Sequence, residues 1–381
     1  AMDSHENIEL RVYNPFRNRN GVLRLLEMVQ RAWGVNHRMH NKAWIADGRV
    51  AVVGGRNVGV EYFSAAEEFN FHDLDMVLFG PAVADASRIF DDFWNSEAAI
   101  PIEALNRKPK ATIRAVLAQI QTEAKSEEAR RFLDRMDTSP SVRGYFSKAL
   151  TPIWSDGVRI LSDPPIKWRG DERDNWLVEH LVGEIADAER AALLISPYFV
   201  PGVDGTQGLV GLAGRGVHVA VVTNSLAAND VVAVHGGYVR YRKTLLEGGV
   251  RLFETRSQSD SKADSSLFGS SGASLHTKAV LIDGRRGFVG SFNLDPRSAN
   301  LNTEMGVLFD DPELGAALFK EYRHLTAPGL SYWVYLNDDG DVRWVDRDTD
   351  PPEALKVEPD STRMQRVVAN VVRWLPVESQ L

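Results

Sequence analysis

Apolar positions in the second half of this chain alternate between short strand-length runs and stretches of helical period. The pattern predicts a helix over Trp176–Arg190 and a strand over Ala191–Phe199, which runs out among Pro197 and Pro201. It predicts a buried strand over Val217–Thr223, a helix over Asp230–Glu247 closed by Gly248-Gly249, and a strand over Val250–Glu254. A polar Ser/Asp-rich loop, Thr255–Ser274, then leads to His276. Near the end, Trp333–Leu336 and Val342–Val345 flank Asn337-Asp338-Asp339-Gly340 as a hairpin. A loop over Pro351–Pro359 and a helix over Thr362–Trp374 follow. Strand–helix alternation of this kind defines an α/β layer fold.

The first half repeats only the end of that scheme. Ile8–Tyr13 corresponds to Val250–Glu254, and Val22–Trp33 fills the space before His40. About 60 residues, two strand–helix units, are therefore expected to be missing from the front of the first domain. An N-terminally truncated first domain is expected to expose a sheet edge and to lower stability. Between the halves, Lys110–Met136 reads as a charged amphipathic helix with a solvated face, or as a membrane-surface helix. The predicted division is a first domain over 1–150, with a helical insertion at about 107–137, and a second over 151–381. The second ends in the hairpin and helix.

The pattern also contains a repeated polar signature. His40-x-Lys42-x4-Asp47-x6-Gly54-x2-Asn57 recurs as His276-x-Lys278-x4-Asp283-x6-Gly290-x2-Asn293, with a constant offset of 236. A lone His-x-Lys is ordinarily an exposed strand face, but five matching positions at equal spacing point to one site built from two equivalent halves. His and Lys two apart share a strand face. Asp47-Gly48 and Asp283-Gly284 are hairpin turn pairs; a two-residue turn would set His40 opposite Gly55 and His276 opposite Ser291. Asp47 and Asp283 are odd in phase to their histidines, so turn and salt-bridge support is their bland reading. Asn57 and Asn293 fold back beside the His-Lys face.

Two imidazoles, two ammonium groups and two carboxamides around one point suit an anion with spread charge, above all a phosphodiester. One His attacks phosphorus as the neutral nucleophile while the other, protonated, serves the leaving alkoxide. Their pKa values should be pushed apart. Each imidazole needs an acid on its second nitrogen. Asp73 and Glu304, 33 and 28 residues after their respective histidines, are the candidates, with Asp75 as a fallback for Asp73.

Composition narrows the partners. Net charge is −8, so no basic nucleic-acid footprint is present and no nucleic-acid partner is expected. Cys is absent, which removes thiolate chemistry. No apolar run reaches the roughly 18 residues of a membrane span.

The paired signature is similar to that of the phospholipase D superfamily, and its context resembles bacterial cardiolipin synthases, in the branch without N-terminal membrane helices. The supporting stretches include Arg38–Lys42, Gly54–Phe63, Ser196–Pro201, Thr223–Leu226, Gly290–Ser298 and Asn302–Gly306, with Leu375–Leu381 at the end. The resemblance implies two pseudo-twofold-related α/β/α sandwich domains with the active site at their interface. It implies ping-pong transfer of a phosphatidyl group through a phosphohistidine, without cofactor or metal. By carry-over the signature residues His40, Lys42, Asp47, His276, Lys278 and Asp283 form the catalytic set. Within it His40 is the nucleophile and His276 the acid/base, although near-symmetry leaves the opposite assignment open. Lys42, Lys278, Asn57 and Asn293 hold the phosphate, and Asp73 and Glu304 orient the imidazoles. The implied partners are phosphatidylglycerol and a second phospholipid such as phosphatidylethanolamine, met peripherally on the bacterial cytoplasmic-membrane surface. The competing readings are a phospholipase or nuclease of the same chemistry, and a non-enzymatic lipid-binding scaffold.

Overall fold

The computed structural model describes residues 2, 5–16, 36–63, 70–105, 113–138, 143, 151–170, 173–257, 265–266, 269–270, 275–375 and 378–380. The segment expected over Val22–Trp33 and most of the loop before His276 lie outside them.

The chain groups into two compact units: Ala1–Met39 with Ile89–Trp154, and His40–Arg88 with Ser155–Leu381. This differs from the division expected at residue 150. The first signature's strands, Ala43–Ala46, Val50–Gly54 and Asp75–Phe79, form a three-stranded sheet that packs on strands Arg286–Gly290 and Met305–Asp310 of the second. Contact across the repeat therefore outweighs continuity along the chain. In the smaller unit, Arg11–Tyr13 pairs antiparallel with Ala99–Pro101. The insertion read as one amphipathic helix is two helices, Ile113–Glu123 and Glu127–Thr138. They part at a turn stabilised by the Ser126 hydroxyl, which accepts from Ala129 N–H.

The larger unit is an α/β sandwich on a ten-stranded sheet. Its strand order is Glu353–Leu355, Val342–Asp346, Ser331–Leu336, Arg251–Thr255, His218–Asn224, Ala191–Ile195, Ala279–Ile282, Arg286–Gly290, Met305–Asp310 and Val158–Ser162. Ala191–Ile195, His218–Asn224 and Arg251–Thr255 run parallel. Those strands read as unbroken apolar runs because both faces are covered. Val219 and Val221 face helices Leu177–Ala186, Gly202–Gly214 and Val232–Glu247, whereas Ala220 and Val222 face helix Pro312–Leu325. The expected hairpin forms with Leu336 opposite Val342. Residues read as a loop after it include a short strand, Glu353–Leu355, which satisfies the hairpin's open edge. The last helix, Arg363–Val372, begins at a Thr362–Gln365 capping box.

The signature turns depart from the two-residue expectation. Asp47 and Gly48 have φ of 52° and 62°, and Asp283 and Gly284 have 54° and 74°, as a primed turn requires. An extra residue follows, so Ala46 pairs with Val50 and Ile282 with Arg286. The register moves by one residue. Lys42 and Lys278, not the histidines, are then level with small residues, Gly54 and Gly290; Gly290 N–H donates to the Lys278 carbonyl at 3.2 Å. These glycines are demanded by the next strand. A Cβ at Gly290 would sit 2.5 Å from the Met305 carbonyl oxygen, and one at Gly54 would sit 2.7 Å from that of Leu74.

Candidate active site

Both His-x-Lys segments lie just ahead of their first strands, and each is held by the other half of the repeat. His40 N–H donates to the Thr303 carbonyl at 2.9 Å, and His276 N–H donates to the His72 carbonyl at 2.8 Å. Each acceptor immediately precedes one of the two candidate acids. The side chains follow the backbone: His40 Nδ1 lies 2.8 Å from Glu304 Oε2, and His276 Nδ1 lies 2.6 Å from Asp73 Oδ2. The sequence reading paired each His with the acid downstream in its own half. In the structure the pairs are crossed, because an acid one strand further on reaches across to the facing repeat. Asp75, the fallback, is taken by Arg56 at 2.5 Å.

With both Nδ1 atoms engaged, each ring has only Nε2 left to present to a ligand. The two halves are otherwise unlike. Ser291 donates its hydroxyl to Glu304 Oε2 at 2.5 Å. Its counterpart in the signature is Gly55, where a Cβ would stand only 2.6 Å from Asp73 Oδ1. The shorter acid thus requires a bare backbone beside it, and the longer one receives a hydroxyl. His276 is also deeper, its side chain 9% exposed against 26% for His40. Tyr62 meets the His276 ring edge-on at 5.0 Å, and Phe71 lies at 5.1 Å.

Burial and the neighbouring cations divide the site electrically. Burial first, then Lys278, Lys42 and His40, hold His276 well below its usual range, which favours the neutral ring. Burial raises Asp73 above the ordinary carboxylate value. Burial would raise Glu304 too, but His40 beside it, with Lys42 and the Ser291 hydroxyl, holds it low. Lys42 is brought down to about 7 by burial, with Glu304 opposing and Lys278 reinforcing the shift. Lys278 is brought down to about 8 by burial, against the pull of Asp73 and Glu304. Each ammonium donates to the carbonyl of its own signature His, at 2.7 Å for Lys42. Two ammonium groups crowded beside two imidazoles make a ready receptor for an anion.

The signature asparagines lie three residues beyond the strands that end at Gly54 and Gly290. Asn57 donates to the Tyr62 hydroxyl at 2.8 Å. Asn293 is buried, and its Oδ1 has no hydrogen-bond partner among the described residues. Asp47 and Asp283 lie elsewhere, at the turns. Asp47 is exposed. Asp283 accepts from the backbone N–H of Glu189, Arg190 and Ala191 at 3.1, 2.7 and 3.0 Å. Those bonds hold its carboxyl below the usual range although burial acts the other way. Asp283 thus staples the hairpin to the start of the neighbouring strand.

Lys167, Asp163 and Asp230 are supporting groups that were not singled out from sequence. Lys167 and Asp163 form a fully buried ion pair at 2.9 Å. Lys167 also donates to the carbonyls of Ser298 and Asn302, while Asp163 accepts from Glu304 N–H at 2.9 Å. This pair fixes the segment that presents Glu304. Tyr198, in the Ser196–Pro201 stretch, donates to Asp230 at 2.7 Å, and burial and Asp230 raise its hydroxyl pKa well above normal. Asp230 also acts electrostatically on Lys278 and Tyr62. Tyr198 falls in the Ser196–Pro201 stretch named from sequence, whereas Asp230 gave no signal beyond heading a predicted helix. His72 pairs with Glu321 at 2.6 Å, a structural role.

The fold is similar to that of the phosphatidylserine synthase of Haemophilus influenzae, with a TM-score of 0.55 at 14% identity, covering 90% of this chain and 71% of that one. The sandwich and its doubled signature are those of a phospholipase D-like protein. Residues 181–326 match the family described as cardiolipin synthase, PLD-like domain. The chain is 38% identical to cardiolipin synthase C of Escherichia coli K12, covering 99% of this chain and 80% of that protein. It is 32% identical to an uncharacterized protein of Helicobacter pylori 26695, covering 82% of this chain and 62% of that one. The chain belongs to the cardiolipin synthase family, enzymes of the phospholipase D superfamily.

Proposed function

We propose that the chain is a phosphatidyltransferase that makes cardiolipin, moving a phosphatidyl group from a donor phospholipid to phosphatidylglycerol at a membrane surface. The observation that carries this reading is the pair of crossed imidazole–carboxylate contacts, which leave Nε2 of each ring for a ligand. Lys42 and Lys278, with the carboxamides of Asn57 and Asn293, hold the phosphodiester oxygens. One Nε2 attacks phosphorus, a P–N bond forms, and the P–O bond to the donor's alcohol breaks. The other ring, protonated, gives its proton to the departing oxygen. The incoming hydroxyl of phosphatidylglycerol then loses its proton to that same ring and attacks phosphorus, and the P–N bond breaks. Glu304 and Asp73 hold the ring tautomers and stabilise the imidazolium as it forms.

The unequal halves bear on the order of events. A nucleophile must be neutral, and burial together with Lys278 and Lys42 favours the neutral form of His276. The more open His40, in contact with Glu304, is then left as the proton donor. This reverses the assignment carried over from the family resemblance. The greater exposure of His40 favours that earlier assignment, in which the accessible ring attacks.

Incubating the protein with labelled phosphatidylglycerol in vesicles and analysing lipids by mass spectrometry tests the reaction. Cardiolipin formed by the parent, and by neither His40→Ala nor His276→Ala, is expected. Release of free headgroup without cardiolipin would instead mark a phospholipase. Phosphohistidine trapped by rapid denaturation at alkaline pH, present in His40→Ala and absent from His276→Ala, would assign the nucleophile to His276, and the reverse pattern to His40.

A further inference from the structure

The C-terminal helix is apolar on two sides. Its inner side is spoken for: Ala369 is buried with Leu226 and Val232, and a Cβ on Gly236 would come within 2.8 Å of the Ala369 carbonyl oxygen. Its outer side is not. Met364, Val367, Val371 and Trp374, spaced three, four and three apart, are 63%, 58%, 54% and 80% exposed, and Leu375 extends the stripe. Such spacing sets side chains above one another on one helix face. Single exposed apolar residues are ordinary, but a contiguous stripe on a rigidly seated helix marks an interaction surface.

Three further observations identify its occupant. From Arg363 to Leu375 there are three arginines and no acidic residue, although the whole chain carries −8. Arg373 lies over the Trp374 ring, its guanidinium carbon 5.6 Å from the centroid. An aromatic and aliphatic stripe bordered by arginines is the chemistry of a helix lying in the interface of an anionic bilayer.

The third observation is position. Leu226 and Val232, beneath the helix, follow strand His218–Asn224 at its C-terminal end. At that same end Asn224 donates to the Leu275 carbonyl at 3.0 Å, one residue before His276. The helix is thus seated at the end of the sheet where the backbone before His276 is held. Val203 and Val231, at the starts of helices on that edge, are also exposed.

We infer that the outer face of Arg363–Val372, continued by Trp374 and Leu375, is the surface by which the protein docks on anionic phospholipid bilayers, bringing the site to its substrate. This rests on the transferase reading for its purpose but not for its test. The experiment is vesicle flotation of the full chain, with phosphatidylcholine vesicles containing or lacking phosphatidylglycerol. The Val367→Asp/Val371→Asp variant should lose vesicle partitioning by at least about tenfold, and Val367→Leu/Val371→Leu should gain. The parent's preference for phosphatidylglycerol should weaken as salt rises. Turnover of short-chain phosphatidylglycerol, kept monomeric in solution, should be unchanged in both variants, which also reports intact folding.

Parent-like flotation of the aspartate variant would overturn the inference. So would a parental dimer that this variant splits, since the face would then bind a second copy. If the transferase reading failed instead, no form would make product, yet flotation would still follow the substitutions.

Discussion

Asp73 Oδ2 lies 2.6 Å from Nδ1 of His276, a residue 203 positions further along the chain. Neither belongs to the other's signature. The contact makes each half of the repeat responsible for orienting the other's imidazole, so neither half is a complete site.

The crossing can be read out in stability. A double-mutant cycle of Asp73→Asn with His276→Gln should show a coupling energy of about 1–2 kcal/mol in urea unfolding, whereas Asp73→Asn with His40→Gln should be additive within about 0.5 kcal/mol. Coupling to His40 in place of His276 would contradict the geometry.

Anion binding should depend on pH with a definite sign. Lys42 and Lys278, lowered to about 7 and about 8, lose their protons as pH rises through that window. A bound phosphate analogue favours the ammonium forms and raises both values. Vanadate or inorganic phosphate should therefore bind more weakly at pH 9 than at pH 6, with proton uptake at pH 8. Calorimetry in buffers of different ionisation enthalpy measures that uptake. Uptake that persists undiminished in Lys42→Met and in Lys278→Met would remove the lysines from this role.

The buried Asp163–Lys167 pair holds the backbone that presents Glu304. Removing one partner strands the other charge, so Lys167→Met is expected to cost about 3–5 kcal/mol in urea unfolding. A loss under about 1 kcal/mol would show that the pair is replaceable.

Asp283 should matter for stability and not for chemistry. Asp283→Ala removes three backbone N–H acceptor contacts and should cost about 1–3 kcal/mol at pH 7. The native carboxyl has a lowered pKa, so its stabilisation is present above the unfolded value and disappears as pH falls through the folded one. The variant's deficit should therefore shrink in strong acid. Turnover per folded molecule should stay near the parent's; a large fall would make Asp283 part of the reacting centre.

Much of the fold was legible in the residues. Strands such as Val217–Thr223 and helices such as Asp230–Glu247 were found within a residue or two, because period and glycine punctuation are local properties. The short strand Glu353–Leu355 was not, since only an open hairpin edge makes such a segment extended. The turn register was missed by one residue: Asp-Gly announces a hairpin, but whether a third residue bulges depends on the strand beside it.

The doubled signature, read alone, determined the chemical inventory of this protein: two imidazoles, two ammonium groups and two carboxamides, each named by position. Partnership was decided by the tertiary structure. It sent Glu304 to His40 and Asp73 to His276, made one imidazole deep and the other open, and left Asp283 as a staple. Residue types and spacings are carried by the chain, whereas distance, burial and local charge exist only once remote segments meet. The burial and neighbouring charge that favour the neutral ring at His276 arise at that moment.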